Sequence, residues 1–284
     1  MGILSLFAET TESGPNIHIA PGAVAEVGGV TITNSILYGW IAALFIVVFL
    51  LLVARQVTVR PKGGVVQFVE IGVDFITNLV EGAFDNAKIG RRFVPFFVTL
   101  FFFILLSNWL GLLPLVGEGF KSGEAPLFRP FTGDLSGTLA IGSVTMVLVY
   151  IASIRAFGGF RNYIGHFFGG GSNPFFFFIG FLEIFTDLTR VLSLSLRLFL
   201  NITIGEIIIG VFAYLGHNAA PFTALPFFMI EIFVAGLQAY IFTILGTMYL
   251  AIAVNAAGEH AADSAGNEET FGSMEAKPSR VGSG

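Results

Sequence analysis

Between Pro174 and Ala257 the only charged residues are Glu183, Asp187, Arg190, Arg197, Glu206 and Glu231. Ser193, Ser195, Asn201 and Gln238 add polar groups to the same apolar stretch. Ionisable groups inside an apolar span are costly, so they mark ion paths or paired sites. Arg190 has a partner on its own face, because Asp187 stands three residues before it; these two read as a structural ion pair. Arg197 differs. Its neighbours three and four residues away are Ser193, Leu194, Leu200 and Asn201, none of them acidic. A cation at the centre of a membrane helix costs roughly 3 kcal/mol on insertion scales. The counter-charge of Arg197 must therefore come from another segment or another subunit. Acids on either side of a lone fixed cation are what an ion relay with a central electrostatic gate requires.

The elements that carry these residues are unusually long. Pro174 can open a helix, and no proline follows before the turn at Gly216–Pro221. A helix over 174–216 is about 65 Å long, and one over 221–257 about 55 Å. A bilayer core is about 30 Å thick, so the reading is a pair of oblique antiparallel helices. Folding them about the turn sets Arg197 beside Gln238 at mid-depth and Glu206 beside Glu231 toward the outer side. Glu183 and Asp187 fall toward the cytoplasm, with Ser193 between them and Arg197.

The whole chain has the composition of a membrane protein. Its 284 residues are 55% hydrophobic and 12% charged, with net charge −5. Soluble domains carry about 25% charge, and a nucleic-acid binder would be basic. No cysteine is present and the four histidines are scattered, so neither a metal site nor a cofactor is expected. Uncharged spans run over 36–54, 93–117 and 135–154 before the two long helices, giving an all-α polytopic fold with about five membrane-embedded helices. Arg55, Arg60, Lys62, Lys88, Arg91 and Arg92 lie between the first two spans, and Arg155 and Arg161 follow the third. The positive-inside rule places both groups in the cytoplasm and the N-terminus outside. Residues 1–30 read as an external arm, 31–258 as one membrane domain, and 259–284 as a disordered cytoplasmic tail. Residues 65–86 read as an amphipathic helix along the cytoplasmic interface. Packing on the other spans is its alternative.

Ser193-Leu-Ser-Leu-Arg197-Leu-Phe-Leu-Asn201, followed by Gly205-Glu206, resembles the signature of subunit a of F-type ATP synthases. Leu237-Gln238-Ala239-Tyr240-Ile241-Phe242 is similar to the family's second signature. Asn108-Trp109-Leu-Gly-Leu-Leu-Pro114, Asp134 and Thr33-Asn34-Ser35 fit it as well. The likeness covers roughly 28–257 and looks bacterial.

The resemblance implies a stator subunit that conducts protons, or sodium ions, through two offset half-channels to and from the carboxylates of a rotating c-ring. It implies no catalytic site of its own. Arg197 would be the essential arginine, with Asn201, Glu206, Glu231 and Gln238 on the channel side. The implied partners are the c-ring, peripheral-stalk subunit b, the remaining ATP synthase subunits and the lipid bilayer of a bacterial inner membrane, with no nucleic acid. Two features depart from the family pattern. Leu200 stands where glycine is usual, and both relay positions, 206 and 231, hold Glu. A secondary transporter is the alternative class, but those folds commonly carry inverted repeats, and none is visible here.

Overall fold

The computed structural model describes residues 23–27, 30–57, 64–113, 121–122, 125–126, 129–160, 162–163 and 174–275. Most of the expected arm lies outside them. Its end forms an antiparallel hairpin of β1 (Ala23–Val27) and β2 (Val30–Thr33), with Ala25 opposite Ile32. A second small pair joins β3 (Lys121–Ser122) to β4 (Ala125–Pro126).

Helix α1 (Asn34–Gln56) is capped by Thr33, whose hydroxyl accepts from the Ile36 amide, satisfying one of the free first-turn donors. Helix α2 spans Gly64–Ala83, α3 is the single turn Ala87–Gly90, and α4 is Val94–Gly111 with Pro95 in its first turn. The short 3-10 turn Phe131–Gly133 leads into α5 (Leu135–Ala156), which is N-capped by Asp134. The long pair follows as α6 (Pro174–Gly216) and α7 (Ala220–Glu275). A 3-10 turn, His217–Ala219, reverses the chain between them, with His217 in the left-handed region at φ 42°.

Among the described residues five helices are long and apolar enough to cross a membrane: Asn34–Gln56, Val94–Gly111, Leu135–Ala156, Gly180–Gly216 and Ala220–Gly258. The chain is an all-α polytopic membrane protein. Its outward surface agrees: Trp40 is 77% exposed, and Leu44, Phe45, Leu51, Phe185 and Phe233 are also open. Water would leave such faces unsatisfied, whereas hydrocarbon accepts them.

Two boundaries differ from the sequence reading. The second span was expected to run to residue 117, but α4 stops at Gly111. Pro114 lies just beyond, and the residue before a proline is driven out of the helical region. At the other end, α7 continues to Glu275, through most of the segment read as a disordered tail. Residues 259–275 include several alanines and glutamates. A helix already nucleated adds one hydrogen bond per residue, so favourable residues extend it.

The core lies where α4, α5, α6 and α7 meet, with Phe97, Phe102, Ile104, Leu198, Ala239, Phe242 and Leu250 essentially sealed from outside. α2 packs antiparallel along α4. Phe68 stacks on Trp109, Phe102 closes on Gly72, and Phe84 stacks on Phe93. Its Val66, Val69, Ile76 and Val80 are buried, while Glu70 and Asp74 point away, exposed. The amphipathic pattern therefore reports packing on the bundle as well as a polar outer face.

Candidate functional site

The register of the long hairpin is fixed by contacts along its length. Near the turn, the Thr223 hydroxyl donates to the Phe212 carbonyl at 2.7 Å, and Phe212 stacks on Phe227 with centroids 3.9 Å apart. Further along, the Glu231 carboxyl group sits directly against Gly205, where a Cβ would collide with it. At the far end the Arg190 guanidinium lies 4.9 Å over the Tyr249 ring. Counting inward from the last two contacts brings Arg197 level with residues 239–242 of α7, just past Gln238. The two side chains face differently: Gln238 is buried and Arg197 is exposed, and no hydrogen bond joins them.

Arg197 opens on a groove of about 680 Å³ along the outer face of α6. Thr189, Ser193, Leu196, Leu200, Asn201 and Ile204 line it with Arg197. No ion pair to Arg197 forms among the described residues. Leu200 is 46% exposed there.

A second group gathers nearer the 217–219 turn. Glu231 is 7% exposed and one of its oxygens has no hydrogen-bond partner. Glu206 lies within electrostatic reach of Glu231 and of Arg129, and Tyr38 within reach of Glu206. A Glu206 oxygen approaches Gly133 of the 3-10 turn, whose carbonyl accepts from Arg129 Nη2 at 3.0 Å. Ser35 donates to Asp134 at 2.6 Å, tying the start of α1 to the start of α5. The Thr33-Asn34-Ser35 and Asp134 motifs, a hundred residues apart in the chain, therefore meet beside the acids. The end of α4 holds α7 at the same place. Trp109 Nε1 donates to the Ile232 carbonyl at 3.2 Å, and Asn108 Nδ2 to the Ala235 carbonyl at 3.4 Å.

Sequence reasoning missed Arg129 and Tyr38 at this place. Arg129 did leave a signal: it is a basic residue in a loop that the charge rule assigns to the outside. Tyr38 left none, since an aromatic residue in an apolar helix is unremarkable.

Of the three residues expected on the cytoplasmic side, the side chains of Ser193 and Asp187 are described, and they face differently. Ser193 opens on the groove, whereas Asp187 is buried and bonded to Tyr150 and Arg190. Glu183 lies on α6, but its side chain is outside the described residues.

The ATP synthase A chain family model matches residues 36–251. The chain belongs to the ATP synthase subunit a family. Among its relatives, ATP synthase subunit a of Myxococcus xanthus is 30% identical over 260 residues, covering 88% of this chain and 80% of the relative. That of Moorella thermoacetica is 31% identical, covering 82% of this chain and 96% of its own. That of Chlorobium phaeobacteroides is 32% identical, covering 84% and 70%. Membership in the subunit a family sets aside the secondary-transporter alternative. It makes the chain a component of the ATP synthase complex.

Proposed function

We propose that this chain is the stator half of the ion path in the membrane sector, working against a ring of c subunits. The observation that carries the reading is Arg197. It is a permanent cation at mid-helix, open to an apolar groove, with no acid paired to it among the described residues. A ring carboxylate passing along that groove would supply the missing partner. The guanidinium would favour the ionised carboxylate and so help expel its ion. Arginine suits the task because it stays charged at any relevant pH.

Glu206, Glu231, Asn201 and Gln238 then belong to the half-channel that opens on the side of the 217–219 turn. Several buried polar atoms near them lack a partner: Thr132 Oγ1, Asn201 Nδ2, Thr203 Oγ1 and Glu231 Oε1, with Ser107 Oγ on the adjoining α4. Each would cost about 1–3 kcal/mol if left unsatisfied. A hydrated path satisfies them. The opposite half-channel runs along the groove from Arg197 past Ser193 toward Glu183, and Asp187 serves as a structural group beside it. The chain has no catalytic site of its own. Protons are the simplest cargo, and sodium ions a second one that two carboxylates could accommodate.

The basic loops after α1 and α5 face the cytoplasm of a bacterial cell, the N-terminal arm faces outside, and α7 ends inside. Residues 31–258 act as one membrane domain, with α6 and α7 oblique to the membrane and α2 at the cytoplasmic interface. Peripheral-stalk subunit b and the remaining ATP synthase subunits are its other partners. Co-purification with a c-ring tests the assignment. A cysteine at Leu196 should form disulfides with a cysteine on the ring's outer helix, and one at Trp40 should not. The reverse pattern would overturn the assignment of the groove.

A further inference from the structure

Four side chains from three helices meet on the side of the bundle away from the 217–219 turn. Asp187 on α6 is 7% exposed, and both its oxygens are engaged. Tyr150 on α5 donates its hydroxyl to Oδ2 at 2.9 Å, and Arg190 donates Nη1 to Oδ1 at 2.7 Å. The Arg190 guanidinium also lies over the Tyr249 ring of α7. An isolated ion pair would need only Asp187 and Arg190. Here the pair is fastened to both neighbouring helices.

The reason lies in α6 itself. Outside one side that carries a few polar residues it is apolar, so hydrophobic burial alone does not fix which side turns inward. Yet the rotation of α6 about its own axis decides where Arg197 points. Arg190 and Arg197 are seven residues apart, two turns, and so share a face to within about 20°. A rotation of α6 by that amount would carry a guanidinium at full side-chain reach roughly 3 Å. Displacements near 1 Å at a reacting centre already cost about a hundredfold. Directional bonds to α5 and α7 supply the constraint that apolar packing lacks.

The geometry points to Tyr150, Asp187, Arg190 and Tyr249 as a positioning site that sets the rotation of α6 and so aims Arg197 into the groove. This rests on the reading of Arg197 as the ring-facing cation. The four residues touch no ion and act through α6.

The chain contains no cysteine, so one introduced thiol is its only one. Ser193 opens on the groove, and the adjacent Leu194 is 4% exposed. In the assembled complex, with the other subunits made cysteine-free, Ser193→Cys should react with N-ethylmaleimide much faster than Leu194→Cys. Adding Tyr150→Phe should lower that rate ratio about fivefold, the change that losing a net bond of about 1 kcal/mol makes. Tyr249→Leu should do the same, while Tyr249→Phe should retain the ratio, because the ring face holds the guanidinium. Ion pumping per ATP hydrolysed should fall several-fold in the two variants that lose the ratio. An unchanged ratio in Tyr150→Phe and Tyr249→Leu overturns the proposal. A changed ratio with unchanged coupling overturns its claim on Arg197. If instead Arg197→Ala still pumps, the ring-facing reading fails, and the labelling ratio separately reports whether the four residues orient α6.

Discussion

The Glu231 carboxyl group occupies the space a side chain at Gly205 would need. This contact sets how closely α6 and α7 approach beside the buried acids. Gly205→Ala should therefore push the carboxylate aside or part the helices, at a cost of about 1–3 kcal/mol for overpacking. ATP-driven pumping in inverted vesicles should drop at matched assembly. Adding Glu231→Asp shortens the acid and should recover part of the loss. A double variant no better than Gly205→Ala alone would argue against a steric cause.

Arg197→Ala should abolish both ATP-driven pumping and ion-driven synthesis while the complex still assembles. Arg190→Ala should reduce coupling several-fold without abolishing it, because its partner Asp187 orients a helix and holds no ring ion. Vesicles carrying each variant at equal subunit levels make the comparison. Coupled transport surviving the loss of Arg197 would defeat the mechanism.

Glu231→Gln keeps the shape of the side chain and removes its charge. If Glu231 and Glu206 relay ions from the 217–219 side, this variant should slow ion entry from outside while leaving assembly intact. Initial pumping and synthesis rates report it. Wild-type rates in both directions would remove Glu231 from the relay.

Trp109→Phe should keep most of the ring contact with Phe68 but lose the bond to the Ile232 carbonyl. The expected loss is about 0.5–1.5 kcal/mol, visible as a lower melting temperature of the detergent-solubilised complex. Pumping should fall with it, since α7 is released one residue from Glu231. Unchanged melting would show that the bond contributes nothing to holding α7.

Much of this protein was legible from residue types and counting. Pro174 and the turn near His217 bound α6, and counting residues outward from that turn set Glu206 beside Glu231. Spacing alone paired Asp187 with Arg190 and left Arg197 with no acid three or four residues away on its helix. What the sequence could not supply was rotation. The membrane parts of helices α4, α6 and α7 are largely apolar, and so weak a periodicity does not say which face is buried. Only the packed structure decided that Gln238 turns inward while Arg197 opens on a groove. It also decided that α2 lies along α4, and that Arg129, Tyr38, Tyr150 and Tyr249 join the polar groups. Those placements depend on contacts between residues tens of positions apart. Local propensity is blind to them, because side-chain packing among several helices chooses one rotation from many of similar local cost.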